Sequence, residues 1–444
     1  MSYSIKDIVQ NELCTGCGVC ISESKNGFMD WNEFGFLVPD LSTQFNENAI
    51  KVCPFNPSPD DVIKDEDKLA KIFLDDSLKK DLKIGNYYDS FVGYSKEYRE
   101  TSSSGGIATY VFEQLLEKRI VDHLYIVKEV NGKYEYKLFS DVKDIKKISK
   151  TRYIPVTLAD LFVEIDTIQG KVALSGVACF IKAVRLKQFY NPMLKEKIPF
   201  VIGIICGGLK SSFFTDYLAQ AAGIKGGYYN QEYRLKDNNI EASDYSFGAY
   251  ESGINKEFYS VKMKSLGDMW GSGLFKSNAC DFCTDVTTEL ADISLGDAWL
   301  EPYTKEGMGN SVIICRTKLA LDIIKEGILK SSLNVAVLSY DLLVKTQQGS
   351  FNHRQKGLKY RIYLNNKEKR LTPYVRSRCL EKISWDFKIV QKRRRITRYN
   401  SFIEWKQTKN VKLFTERMKN SRESLDKATV FYHRLRRIRR MFNI

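Results

Sequence analysis

CTGCGVCISESKNGFMDWNEFGFLVPDLSTQFNENAIKVCP, residues 14–54, holds the densest chemistry in the chain and sets how its fold is read. Cys14, Cys17 and Cys20 stand three apart, so a single loop can turn all three thiols inward, and Cys53-Pro54 offers a fourth downstream. A C-x2-C-x2-C run with a remote Cys-Pro is the spacing that wraps a [4Fe-4S] cube. Zinc also takes four thiolates, but its sites usually pair two C-x2-C knuckles. Gly16 and Gly18 suit close wrapping, because backbone without Cβ lets amides point at sulfur. The spacing predicts one [4Fe-4S] cluster on Cys14, Cys17, Cys20 and Cys53.

Counting back from Cys53 at the same interval reaches Ala49, Asn46 and Thr43, and counting forward from Cys20 reaches Ser24, none of them a thiol. The stretch resembles a bacterial-type ferredoxin module that has kept its first cluster and lost its second. With 444 residues, 43% of them hydrophobic, the chain can bury a large core divided among two or three domains. Ten Cys are too few for a secreted disulfide scaffold, and neither an apolar leader nor a run of 18 apolar residues occurs, which predicts a reducing cytoplasm.

The formal charge of +15 is confined to one end. Residues 371–444 hold 21 Lys and Arg against 6 Asp and Glu, leaving 48 of each sign in residues 1–370. The basic balance therefore speaks about what the tail touches and not about the main body. In its last segment Phe431, Tyr432, Leu435, Ile438, Met441 and Phe442 recur three and four apart among five Arg, the pattern of a basic amphipathic helix for an anionic membrane surface. Nucleic acid is not expected, since no reading module accompanies the charge. Solubility and subunit contact are the competing readings.

Between these ends the pattern alternates. NPSPDDVIKDEDKLAKIF reads as a linker entering a surface helix, and YYDSFVGYSK as a strand. The loop Ser102-Ser103-Ser104-Gly105-Gly106 then opens a helix with Ile107, Val111, Leu115 and Leu116 on its apolar side. Amides at such a helix start favour an anion such as phosphate, although an N-cap and tight turn explains the same residues. From residue 170 two strand-loop-helix units follow, whose loops carry Cys179 and Cys206-Gly207-Gly208. In a parallel α/β sheet such loops converge on one face, where ligands bind. Cys280 and Cys283 form a further C-x2-C pair, too dispersed from the others to mark a local motif, and buried free thiols are the bland alternative.

Taken in order, residues 14–53, 104–106, 175–179, 206–208, Cys280/Cys283 and 292–299 resemble the coenzyme F420 hydrogenase/dehydrogenase beta-subunit family, which includes bacterial members encoded among polysaccharide genes and 7-hydroxymethyl chlorophyll a reductase. The resemblance covers roughly residues 10–350. It implies a second [4Fe-4S] on Cys179, Cys206, Cys280 and Cys283, and an FAD whose phosphates and ring lie near Ser103, Ser104, Gly105, Gly106 and the 150s. Lys150, Arg152 and Tyr153 fall where the family binds flavin or substrate and are the candidate catalytic residues; Asp297 and Trp299 are candidates for the same pocket. Ala178 replaces the family's Pro, and Gly207 replaces a His that could have donated a proton.

The expected fold class is α+β or α/β: a ferredoxin-like [4Fe-4S] module at 1–60, a linker at 61–85, an α/β flavin and second-cluster domain at 86–360, and a basic helical tail at 361–444. The expected function is an oxidoreductase passing electrons from a ferredoxin or similar donor through two [4Fe-4S] clusters and FAD to a small organic substrate, such as a sugar or polysaccharide precursor. A non-catalytic electron-transfer subunit and a polysaccharide-biosynthesis transferase with structural clusters are the rivals. The expected location is cytoplasmic, peripheral at the inner membrane face through the tail, with homo-oligomerisation left open.

Overall fold

The computed structural model describes residues 3–130, 132–148, 150–253 and 256–442. Thirteen strands are described: β1 Met29–Trp31, β2 Leu37–Pro39, β3 Asp89–Ser95, β4 His123–Val130, β5 Lys133–Phe139, β6 Val172–Val177, β7 Phe200–Ile204, β8 Tyr228–Leu235, β9 Ser246–Glu251, β10 Phe258–Lys262, β11 Ile293–Asp297, β12 Ser311–Cys315 and β13 Leu333–Val337. Eight of them make one sheet in the order β13-β3-β12-β11-β7-β6-β4-β5. Its centre, β4-β6-β7-β11, is parallel and its flanks are antiparallel.

The parallel strands are short apolar runs because both faces are covered. Along β6 and β7, Val172, Leu174 and Val201 enter the core beneath the helix Ala178–Tyr190. Ala173, Phe200 and Ile202 point the other way, toward the helices Ile107–Glu117 and Lys318–Leu329. This period of two places successive side chains in opposite cores and gives three layers, helix on sheet on helix.

A smaller antiparallel sheet, β10-β9-β8, backs onto the helix Ser212–Ala222. Its core is closed by the far end of the chain. The helices Trp385–Thr408 and Val411–Phe442 form a hairpin, and Phe402, Trp405, Phe414 and Met418 insert among Phe214, Tyr217 and Phe275. The basic tail is thus helical, and its first half is packed core.

The expected fold class is corrected at the N terminus. Residues 14–54 form a loop, a tight turn at Val19–Glu23 and the hairpin β1-β2. Among the described residues no group of three or more His, Cys, Asp or Glu could hold a metal ion, so no iron-sulfur-binding ferredoxin-like module is found. What stands is a mixed α/β fold with a helical C-terminal region. The glycines have a packing reason: both have positive φ, and a Cβ on Gly16 would meet the Leu37 carbonyl oxygen at 2.8 Å, one on Gly18 the Ala159 nitrogen at 2.8 Å.

Arg376 joins three distant stretches. It is fully buried, donates to both carboxylate oxygens of Glu289 at 2.7 and 2.8 Å, and lies 3.3 Å from Glu66 and 3.1 Å from Asp67. Burial pushes Glu289 up to about 7, against the pull of Arg376. Burial would raise Glu66 as well, but Lys182 and Arg376 together outweigh it and hold it at about 2.

Two outcomes follow from this packing. Trp405→Ala should cost about 3–5 kcal/mol in urea denaturation, whereas Phe442→Ala, at a side chain 67% exposed, should change stability by less than about 0.5 kcal/mol; equal effects would mean that the hairpin is not part of the core. Arg376→Leu should cost about 3–5 kcal/mol at pH 8 and less at pH 5. A carboxyl raised from 4.5 to about 7 contributes fully below the lower value and progressively less as pH rises through the upper one. At pH 5 Glu289 is protonated with or without Arg376, so less is lost there, and a loss independent of pH would refute the electrostatic account.

Candidate functional site

Strands β6 and β7 run parallel, and their C-terminal ends bring two of the predicted thiols to one end of the sheet. Cys179 sits in the first turn of the helix Ala178–Tyr190, and Cys206 follows β7 directly. Cys280 belongs to the tight turn Asn278–Asp281, with Cys283 just beyond it. Backbone amides point at sulfur: Gly208 donates to Cys206 Sγ and Leu209 to Cys280 Sγ, each at 3.2 Å. Gly208 is glycine because φ is +134° and the Lys276 side chain occupies the place of a Cβ.

Burial, reinforced by neighbouring thiols, pushes all four upward, Cys283 to about 11. Arg354 and Lys276 oppose this, and Arg354 does so by contact: it donates to Cys283 Sγ at 3.1 Å and to the Cys206 carbonyl at 2.9 Å. Burial works against its charge, but the thiols hold its pKa above the usual range. Around Asp281 gather Lys276 at 2.9 Å, Arg398 and His353 at 3.2 Å. Burial and the nearby Lys276, Arg361 and Arg394 keep His353 neutral.

The N-terminal four behave alike. Gly16 donates to Cys14 Sγ at 3.4 Å, and burial lifts Cys14 to about 12 and Cys17 to about 11. Cys14, Cys17, Cys20 and Cys53 share a cavity of about 20 Å³, room for about one water.

The cofactor expectation is corrected here. The eight cysteines are free and raised, four of them buried and four half-buried, and among the described residues none of their groupings forms a set that could hold a metal ion. Neither [4Fe-4S] assignment is supported, and the expected electron route through two clusters to FAD falls with them. Spacing in the chain brings the thiols near one another, but desolvation leaves them as protonated thiols.

The Ser/Gly loop meets the 150s as the sequence order suggests: Thr151 donates its amide to Ser103 Oγ at 2.9 Å. Ser104 Oγ donates to the Asn310 carbonyl at 3.3 Å. Gly105 and Gly106 serve packing, since a Cβ would meet the Gly93 carbonyl at 2.5 Å and the Tyr98 carbonyl carbon at 2.6 Å. Lys150 is paired with Glu232 at 2.9 Å, and the Arg152 guanidinium lies 4.4 Å from the centre of the Tyr134 ring. Tyr153 is half-buried, edge-on against Trp270 at 4.9 Å, and desolvation holds its hydroxyl above the usual phenol range, which makes it a poor proton donor.

Asp297, at the end of β11, is paired with Arg234, whose guanidinium also lies 5.0 Å from the Trp299 ring. Lys236 donates to the Ser104 carbonyl at 3.1 Å and the Met308 carbonyl at 3.2 Å. Burial, with Lys150, Arg234 and Arg99 nearby, lowers Lys236 to about 7. Asn310 Nδ2 is buried without a hydrogen-bond partner. Trp270 joins the two regions, its ring also lying at Gly207, the glycine that stands in place of the family's His. Lys210, buried 4.7 Å from the same ring, is lowered by desolvation to about 7.

Arg234, Lys236, Lys210, Trp270 and Arg354 were not singled out in the sequence. One signal was available: Glu232, Arg234 and Lys236 alternate along β8 and its end, so that charges fall on one face of a strand.

Two family profiles match the chain. The N-terminal profile of the coenzyme F420 hydrogenase/dehydrogenase beta subunit covers residues 90–162, and the C-terminal profile of the same subunit covers residues 169–339. The coenzyme F420-dependent sulfite reductase of Methanocaldococcus jannaschii is 23% identical over 350 residues, 75% of this chain, which spans only 49% of that protein. One subunit of the F(420)H(2) dehydrogenase of Methanosarcina mazei is 23% identical over 332 residues, 70% of this chain and 84% of that one. A chain of the F420-reducing [NiFe] hydrogenase complex of Methanosarcina barkeri shares the fold with a TM-score of 0.50 at 21% identity, over 65% of this chain and 96% of that one. The two profiles lie across the sheet and both halves of the site just described, and the chain belongs to the coenzyme F420 hydrogenase/dehydrogenase beta-subunit family.

Proposed function

We propose that the chain is a dehydrogenase-type oxidoreductase working with a redox partner protein, and that it takes an anionic organic coenzyme or substrate at the face built by residues 103–106, β8 and residues 297–299. The observation that carries this reading is the gathering of Lys150, Lys236 and Arg234, the last with its guanidinium 5.0 Å from the Trp299 ring, near the unpartnered Asn310 Nδ2. Aromatic and cationic groups converging with a spare amide donor suit a planar anionic ligand. Its relatives carry coenzyme F420 in their names, which makes F420 the first probe. A ferredoxin-type protein is the partner proposed, the donor or acceptor for the organic ligand.

Lys236 has a defined part in binding. Held near 7, it is largely neutral at pH 8 and takes up a proton when an anion arrives, so affinity should fall as pH rises from 6.5 to 8.5. Calorimetric titration with F420 should show this slope in the wild type, a flat profile in Lys236→Met, and about tenfold weaker binding in Arg234→Gln. Equal binding by all three chains at every pH would overturn the reading.

Among the described residues no helix is long and apolar enough to cross a membrane. We propose reversible contact of the last helical turns with an anionic bilayer, supported by the exposure of Phe431, Ile438, Met441 and Phe442. Tyr432 is buried against Phe387, and Arg439 is committed to Asp386, so the contact face is narrower than the sequence alone implies. Vesicles rich in anionic lipid should sediment the full chain better than neutral vesicles do, and Ile438→Ser with Phe442→Ser should remove the difference; no lipid preference in the wild type would defeat the proposal.

A further inference from the structure

Away from that face, a cavity of about 400 Å³ opens between the hairpin β1-β2 and the helix Trp385–Thr408. Of its lining only Ser277 and Asn278 fall within the family profiles; the rest comes from residues 9–38 and 364–402. Whatever it holds is therefore particular to the way this chain joins its two ends.

The walls are apolar on two sides. Phe34, Phe36 and Val38 come from the hairpin and its turn, and Ile396, Tyr399 and Phe402 stand three apart along one helix face. Phe402 anchors the floor, its ring centre 5.5 Å from Phe34 and 5.6 Å from Phe36. The size is that of sites for small organic molecules.

The charges select the ligand. Arg370, Lys392, Arg395 and Arg398 line the cavity against Glu12 and Glu368. Glu12 takes Arg370 at 3.1 Å, Glu368 takes Arg395, and Asp281 takes Arg398 from below. That pairing leaves Lys392 in excess and Arg395 only half used: its Nη2 donates to Glu368, while its Nη1 is buried with no hydrogen-bond partner. An unmade bond from a buried guanidinium is costly, and a carboxylate is the acceptor that matches it best. The lining carries four cations against two carboxylates, which favours an anion over a neutral ligand.

We propose that this cavity binds an apolar carboxylic acid, its carboxylate accepting from Arg395 Nη1 beside Lys392 and its hydrocarbon or aromatic body lying between the phenylalanines and Ile396. Neither end of the chain makes the site alone. It is independent of the redox reading, and loss of one would leave the other intact.

The test uses calorimetric titration of the full chain with dodecanoate below its micelle concentration and with 1-naphthoate, which distinguish an aliphatic from an aromatic body. At least one should bind with one-to-one stoichiometry, dodecanol should bind at least about tenfold more weakly than dodecanoate, and Arg395→Gln should weaken the acid by about tenfold or more. Ile396→Trp, at a side chain 38% exposed, should fill the cavity and abolish binding while circular dichroism stays unchanged; it carries the test if Arg395→Gln does not fold. Binding of neither acid, equal binding of dodecanol, or affinity unmoved in a folded variant would overturn the proposal.

Discussion

The two-pronged bond from Arg376 to Glu289 is the constraint on which the rest leans. Glu289 lies in the segment between the Cys280/Cys283 turn and β11, while Glu66 and Asp67 open the helix that follows the N-terminal module. One guanidinium thus fixes the beginning, middle and end of the chain relative to one another. Such a buried network is worth little as net attraction and a great deal as specificity, because the buried Glu289 loses its bidentate partner once the cation is gone. The eight-stranded sheet, the thiol loops and the C-terminal helices take their relative places around it.

Local patterns were legible in the sequence. The apolar stripe from Ile107 to Leu116, the strand before the Ser/Gly loop and the strands and helices of the two units beginning at residues 172 and 200 appear as read, since each depends on neighbours within a dozen residues, while the loop expected at 175–179 is instead the end of β6 and the start of its helix. The cysteine run was read too far. Its spacing speaks of proximity, and what decides a metal set is where the donors point and whether burial lets them ionise. The glycines misled for a related reason: those at 16, 18, 105 and 106 are required by backbone approaching from other parts of the chain, which a local pattern does not contain.

The site's electrostatics were hidden for the same cause. Arg354 reaches Cys283 across 71 positions, and Arg234 meets Asp297 across a comparable distance. Nothing beside either residue announces its partner. The excess of basic residues after position 371 was plain, but its division was not: Arg376, Arg394 and Arg398 serve the thiol region and the network below it from inside, while Lys388, Lys392, Arg393, Lys406, Lys412, Arg417, Lys419 and the final turns present their charge to solvent. A basic tail therefore proved to be two things, an inner face that is structural and an outer face that is charged.

The hairpin of C-terminal helices has a consequence for the living synthesis of the protein. Phe214, Tyr217, Leu218 and the sheet β10-β9-β8 share one core with Phe402, Trp405, Phe414 and Met418, residues that leave the ribosome some two hundred positions later. At ordinary translation speed that is a wait of about 10–40 s, during which Tyr217, Phe247 and Phe275 have no lid. The large sheet, whose strands end at residue 337, is complete before then. The nascent chain consequently passes through a stage with its main body formed and one aromatic face bare, the stage at which a chaperone would find it and at which a premature stop near residue 400 would leave it.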